Sequence, residues 1–302
     1  MIQDIAPQVM NNEFRDEGPE QADVQETVFV CGDRSIACHV DEERGVVFPS
    51  LQEFLQAGGV REKLHYLFAI DERRYWLYLG EAELYPTVEA VCQSEKEKGR
   101  TDGLQDRYTM QGIRTLRRVM PQTECYAGET AYHLYVWYRD NRFCGRCGHQ
   151  NAFSHKERAM SCPICGNLSY PKIAPAVIVG IMNEHRDKII VTRYAGRAHK
   201  GNALVAGFCE IGETAEDTVR REVLEEVGLH VRDIHYYKSQ PWGFDSDLLL
   251  GFYCTADESE RIHMDDGELA RAAWVQRDDL EKEPSELSLT AEMIMNFKRG
   301  DV

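Results

Sequence analysis

Two cysteine pairs, each spaced Cys-x-x-Cys, sit fourteen residues apart in FCGRCGHQNAFSHKERAMSCPICGN (143–167). No other feature restricts the local fold as much. Each pair supplies two thiolates from one tight turn, and Gly148 and Gly166 follow directly, as such turns prefer. Together Cys144, Cys147, Cys162 and Cys165 can wrap a single tetrahedral ion. All-thiolate coordination selects zinc or iron, and four filled positions leave none open for a substrate. The site is therefore expected to be structural, with the metal supplying folding energy. A redox dithiol would need only one such pair. Arg142, Arg146, Lys156 and Arg158, with Phe143 and Phe153, make the segment locally basic, which keeps open a nucleic-acid-binding ribbon.

The remaining six of the ten cysteines (Cys31, Cys38, Cys92, Cys125, Cys209, Cys254) occur singly among apolar or mixed residues and suit small buried core positions. The amino-terminal segment has neither the basic cap nor the apolar run of a signal peptide, so reduced thiols and a soluble, cytoplasmic protein are expected. No apolar run is long enough to cross a bilayer. The net charge of −16 disfavours wholesale association with nucleic acid or anionic membrane.

Length and patterning suggest three segments in an α+β chain. Residues 1–140 carry short strand-like runs (TVFVCG, SIACHV, GVVFPS, LHYLFAI, RYWLYLG). Helical spacing follows in GIRTLRRVM and in 129–141, where Ala131, Leu134, Tyr135 and Tyr138 share a side. SEKEKGRTDG (94–103) reads as a solvated loop. Residues 141–169 form the cysteine ribbon. Residues 170–302 alternate AVIVGIM, KIIVTRY, a glycine-punctuated loop, a helix over 214–227, strands at HYYKS, DLLLGFYCTA and AAWVQ, and a terminal helix from about Thr290.

The helix over 214–227 poses a chemical question. Thr214-x-x-Asp217 is a capping-box-like start, first-turn acids suit the helix dipole, and Gly228 suits the stop. Val219, Val223 and Val227 form an apolar stripe. Beside it Glu222, Glu225 and Glu226 fall within an arc of roughly 100°, where like charges at i, i+3 and i+4 repel. Three glutamates alone would suit a solvated acidic face. The surrounding pattern runs Gly207, five residues, Glu213, seven residues, Arg221-Glu222-Val223, one residue, Glu225-Glu226, one residue, Gly228-Leu229. It resembles the complete signature of the Nudix hydrolases.

That resemblance implies a divalent ion, magnesium or manganese, with Glu222 and Glu226 as principal ligands and Glu225 as ligand or general base. It makes Arg221 the residue that orients the carboxylates, and Glu213 a brace of the loop or a contributor to the metal site. Hard oxygen donors match such ions and relieve the repulsion among the glutamates. Further features, in order, resemble the NADH pyrophosphatase subfamily: the ribbon, YPKIAPAVIVGI (170–181), SQPW (239–242), and Glu268 in DDGELARAAWV. The likeness extends over about 141–292 and is loose over residues 1–140, where that family carries a degenerate Nudix-like domain.

The subfamily likeness implies a Nudix α/β/α sandwich, structural zinc, a homodimer, and cleavage of NADH or NAD to a nicotinamide mononucleotide and AMP, with removal of NAD caps from RNA as a further activity. By position it implies that Phe208 stacks on a base, Tyr170 and Gln240 lie around the nicotinamide nucleotide, Glu268 is a further metal ligand, and Ala291 makes a backbone contact. One stretch departs: where the family has two prolines after SQPW, this chain has Gly243 and Asp245, in SQPWGFDSD. Losing both prolines frees backbone on the substrate side. The alternatives are a Nudix enzyme for ADP-ribose, diadenosine polyphosphates or nucleotide-capped RNA, and a ribbon-bearing RNA-binding or regulatory protein.

Overall fold

The computed structural model describes residues 1–41, 45–80, 107–194, 202–264, 269–281 and 287–302. Cys92, the loop at 94–103 and Glu268 lie outside them. The chain divides into two compact units. One comprises Ile2–Lys172 and Gly243–Asp245; the other comprises Met1, Ile173–Trp242 and Ser246–Val302.

The first unit is built on a seven-stranded sheet. Its strands are β1 (Met10–Asn11), β2 (Thr27–Gly32), β3 (Ser35–Asp41), β4 (Gly45–Val47), β5 (Leu64–Ile70), β6 (Arg73–Tyr78) and β7 (Thr109–Gly112). The order is β1-β5-β6-β2-β3-β4, with β7 also on β3 and β2 parallel to β6. Helix α1 (Leu51–Gln56) starts at a reciprocal capping box between Ser50 and Glu53. Helix α2 spans Gln122–Asp140 and buries Ala131, Leu134 and Tyr138, while Tyr135 is half-buried. It starts seven residues earlier than the expected 129, and of GIRTLRRVM only Ile113–Arg117 is helical, as a short 3-10 turn. Pro121 explains the start, since its fixed φ and missing N–H suit the mouth of a helix but not its interior. The ribbon adds β8 (Ala152–Phe153), β9 (Met160–Ser161) and β10 (Leu168–Ser169), an antiparallel sheet in the order β10-β9-β8.

The second unit has a six-stranded sheet of β11 (Ala174–Met182), β12 (Lys188–Tyr194), β13 (Val205–Phe208), β14 (Val231–Trp242), β15 (Asp247–Ala256) and β16 (Leu269–Gln276). The order is β14-β15-β11-β12-β16, with β13 also on β11 and β15 parallel to β11. Helix α3 (Ala215–Val227) packs on one face through Val219, Val223 and Val227, which meet Val177, Val179, Ile181 and Val205. All three helix valines are fully buried, and each contributes on the order of 1.5–3 kcal/mol. Helix α4 (Leu289–Arg299) covers the other face with Leu289, Met293, Ile294 and Phe297. This is the expected α/β/α sandwich. Among the described residues no helix is long and apolar enough to cross a membrane.

Of the single cysteines, Cys31, Cys38, Cys125 and Cys254 are buried as expected, and Cys209 is half-buried. The strand expected at HYYKS continues through SQPW, so that β14 ends at Trp242. Pro241 is tolerated there because β14 is an edge strand, where a missing N–H breaks no interior ladder.

Candidate active site

Helix α3 begins where the Thr214 side chain accepts from the Asp217 N–H at 3.1 Å, and it ends at Gly228, whose φ of +70° is left-handed. Those two signals fix which residues face which way. The valine stripe binds the helix to the sheet and turns Glu226 into the interior, where it is 3% exposed. Glu222 is half-buried and Glu225 is exposed.

Arg221 organises the cluster. Its Nε and Nη2 clasp Glu213 at 2.7 and 2.9 Å, and Nη1 reaches Glu222 at 2.8 Å and Glu225 at 2.9 Å. Nη2 also donates to the Phe208 carbonyl at 2.9 Å. A planar guanidinium has enough donors for this; a lysine ammonium lacks the fork. Glu213 further accepts from the Glu210 N–H at 3.1 Å and from the Thr218 hydroxyl at 2.9 Å, bonds that fix the loop before the helix. The Arg221 guanidinium, aided by those donors, holds the Glu213 carboxyl down at about 2. Thr218 was not singled out in the sequence, although its place one turn into the helix from Glu213 is a usable signal.

Strand β13 sets the other wall. Gly207 and Phe208 are neighbours, so their side-chain directions oppose. A Cβ on Gly207 would lie 2.0 Å from the Glu222 carboxyl carbon, so only glycine admits that carboxylate against the strand. Gly207→Ala should therefore displace Glu222 and lower kcat by about tenfold or more, with little change in thermal midpoint; unaltered kcat would refute the close approach. Phe208 points the other way and is 54% exposed.

The register aligns two expected substrate residues. Phe208 pairs with Ala176, Ala176 with Leu249, and Leu249 with Gln240, one row across four strands. Gln240 itself is fully buried. Its amide donates to the Leu287 carbonyl at 2.9 Å and accepts from the Leu289 N–H at 2.7 Å, which fastens the start of α4. Ala291 lies in that first turn, its N–H donating to the Ser288 hydroxyl at 3.3 Å. Tyr170, in the other unit, is 53% exposed and its hydroxyl donates to Glu157 at 3.1 Å.

Two metal-binding chemistries can be tested against these residues. The cysteine sulfurs are 3.4 to 3.6 Å apart in three pairs, and all four lie within 4.8 Å of one another. Tetrahedral zinc with Zn–S of about 2.3 Å places its sulfurs close to that, whereas a disulfide needs about 2.05 Å. Backbone N–H groups of Arg146 and Cys147 pull the Cys144 thiol down, while the neighbouring sulfurs push Cys147 up, as expected of thiols crowded together. The four cysteines form a zinc site. Among the described residues they alone gather three or more ligand atoms closely enough for an ion, because Glu222 and Glu225 are drawn onto Arg221. The glutamates still fit a divalent cation. Three carboxylates surround one guanidinium, the donors are hard oxygens, and a carboxylate buried as deeply as Glu226 favours a nearby positive charge.

The ribbon's basic residues are partly committed. Arg158 donates to the Leu67 carbonyl at 2.6 Å, and Phe153 packs on the His65 ring at 4.1 Å. Phe143 stays 57% exposed beside the Arg142 guanidinium.

The chain resembles known proteins over residues 139–297. The NUDIX domain family matches residues 172–297, and the NADH pyrophosphatase zinc ribbon domain matches residues 139–170. The NAD-capped RNA hydrolase NudC of Salmonella typhi is 42% identical over 147 residues, covering 49% of this chain and 56% of that protein. Its namesake from Yersinia pestis (strain Pestoides F) is 42% identical over 149 residues, covering 49% and 55%. The chain thus spans little more than half the length of these relatives. A solved NUDIX hydrolase from Nitrosomonas europaea aligns with a TM-score of 0.44 and 21% identity, over 52% of this chain and 91% of that one.

Proposed function

The chain belongs to the Nudix hydrolases and carries an NADH pyrophosphatase zinc ribbon, and from that premise we propose that it hydrolyses the pyrophosphate bond of NADH or NAD. The products are a nicotinamide mononucleotide and AMP. The observation that carries the proposal is the Arg221-centred carboxylate cluster, with Glu222 seated against Gly207 and the Phe208 ring exposed on the next residue.

In this reading Glu222 and Glu226 hold magnesium or manganese, joined by Glu268 and with Glu225 as third ligand or general base. Such an ion, when bound, neutralises the pyrophosphate and lowers the barrier to attack at phosphorus. The chain's own residues do the rest. Arg221 keeps Glu222 and Glu225 in fixed directions, and Glu213 keeps Arg221 in place. A glutamate carboxylate takes a proton from the attacking water as its oxygen bonds to phosphorus. The bridging P–O bond breaks, and each half leaves as a phosphate monoester. Phe208 offers a π-face to a base, while Tyr170, Gln240 and Ala291 shape the nucleotide site. The ribbon at 141–169 is a structural zinc module between an α+β domain at 1–140 and the catalytic domain at 170–302. A cytoplasmic homodimer is part of the proposal, as is NAD-cap removal from RNA, the activity in the relatives' name.

A second reading is favoured by Gly243 and Asp245: a Nudix pyrophosphatase whose preferred substrate is ADP-ribose or a diadenosine polyphosphate. Hydrolysis of NADH, NAD, ADP-ribose and NAD-capped RNA, with magnesium and then manganese, separates the two. NADH or NAD should be cleaved at least about tenfold more efficiently than ADP-ribose. A preference for ADP-ribose defeats the nicotinamide assignment, and no turnover of any substrate defeats the enzymatic one.

A further inference from the structure

The turn that departs from the family pattern is held in a way no proline could permit. Gly243–Asp245 joins β14 to β15, yet it belongs to the first unit. The Gly243 N–H donates to Glu129 Oε1 on α2 at 2.7 Å. Proline has no such hydrogen. A Cβ at 243 would also meet the Glu129 carbonyl oxygen at 2.5 Å. Two residues on, Asp245 accepts from Arg114 Nη2 through both carboxylate oxygens, at 2.9 and 3.0 Å. Phe244 between them is buried, 4% exposed. Both departures thus have their own partners, more than a hundred residues away in sequence.

Glu129 is a costly residue to keep for structure alone. It is 1% exposed, and its Oε2 is buried with no hydrogen-bond partner among the described residues. Burial pushes its carboxyl up to about 8, against the smaller downward pull of the Gly243 N–H and Arg117. Burial therefore favours the neutral acid, whose Oε1 still accepts.

The turn also sits where the sheet's substrate row ends. Trp242 pairs with Asp247 two residues beyond the Gln240–Leu249 pair that leads through Ala176 to Phe208. The Ser246 carbonyl accepts from the Ala174 N–H at 2.9 Å, which binds the far side of the turn to β11. Freedom in the turn would pass directly into that row.

We propose that Glu129, supported by Arg114, is a positioning residue for substrate: it fixes the Gly243–Asp245 turn by a side-chain-to-backbone bond and an ion pair, replacing the rigidity that two prolines give the family. The role rests on the pyrophosphatase reading above. It means that the altered turn is re-anchored and the substrate site stays ordered.

The test is a KM-against-kcat split on the full-length, zinc-loaded protein. Glu129→Leu removes the acceptor and should raise KM roughly tenfold with kcat within about twofold, the signature of lost ground-state binding. Glu129→Gln retains an acceptor oxygen and mimics the neutral acid, so it should restore KM to within about twofold of wild type. Arg114→Ala, at an exposed ion pair, should raise KM about two- to threefold. An unchanged KM in a folded Glu129→Leu protein overturns the proposal, as does an equal loss in Glu129→Gln. Should the leucine variant not fold, an unchanged KM in Arg114→Ala overturns it. The split is read on whichever substrate of the panel the wild-type protein hydrolyses, so a failed NADH arm counts against the substrate assignment and not against Glu129.

Discussion

Exchanging Glu226 for glutamine lowers kcat by roughly a hundred- to a thousandfold while the protein stays folded. The side chain is 3% exposed on the valine-striped helix, so an isosteric amide keeps the packing and removes only the charge. Taking a negative charge out of a buried position relieves desolvation, so the thermal midpoint should hold or rise. Turnover falls because the amide oxygen is a weaker ligand for a divalent ion and takes up no proton. Steady-state kinetics at saturating magnesium, beside a melting curve, provides the check. Wild-type turnover in a folded Glu226→Gln protein would remove Glu226 from the catalytic set.

The second large effect concerns the ribbon. Elemental analysis should find one zinc per chain, and Cys162→Ser should abolish it. Structural zinc in small modules is worth about 10–16 kcal/mol of apparent binding free energy, which is also folding free energy. The damage should spread into the sheet of the same unit. Phe153 packs on His65 at 4.1 Å and approaches Tyr138 at 5.6 Å, and Arg158 caps the Leu67 carbonyl. Loss of order in the ribbon would uncover all of these. The thermal midpoint should drop by about 10 °C or more, and a strong chelator should reproduce the drop in the wild-type protein. A zinc-free variant that melts with the wild type would show that the knuckles do not depend on the ion.

Local signals carried well from sequence to structure. The helix over 215–227 is bounded by Thr214 and Gly228 because an N-cap hydroxyl and a left-handed glycine act within one turn of the chain. The four cysteines converge because each pair shares one tight turn. What failed to show was set by distance or by a competing local cue. The strand seen at HYYKS runs on through SQPW, although proline usually interrupts strands, and the edge position that tolerates it is invisible before the strand order is known. Gln240 offered no sign that its amide would bind the start of α4, since Leu287 and Leu289 lie more than forty residues away. The pairing of Glu129 with Gly243 spans a still longer interval. In the sequence only the missing prolines are visible.

Strand β13 is four residues long, and its last two serve opposite faces of the sheet: Gly207 receives Glu222 and Phe208 presents its ring. Because successive residues of a strand alternate, a slip of one position would exchange the two, setting a bulky ring against a carboxylate and a bare α-carbon where a base should stack. The segment can therefore vary at position 208 but neither at Gly207 nor in length. Under the role proposed for Phe208, evolution or an engineer can retune ligand choice through the side chain at position 208, whereas insertions and deletions there would abolish chemistry and recognition together.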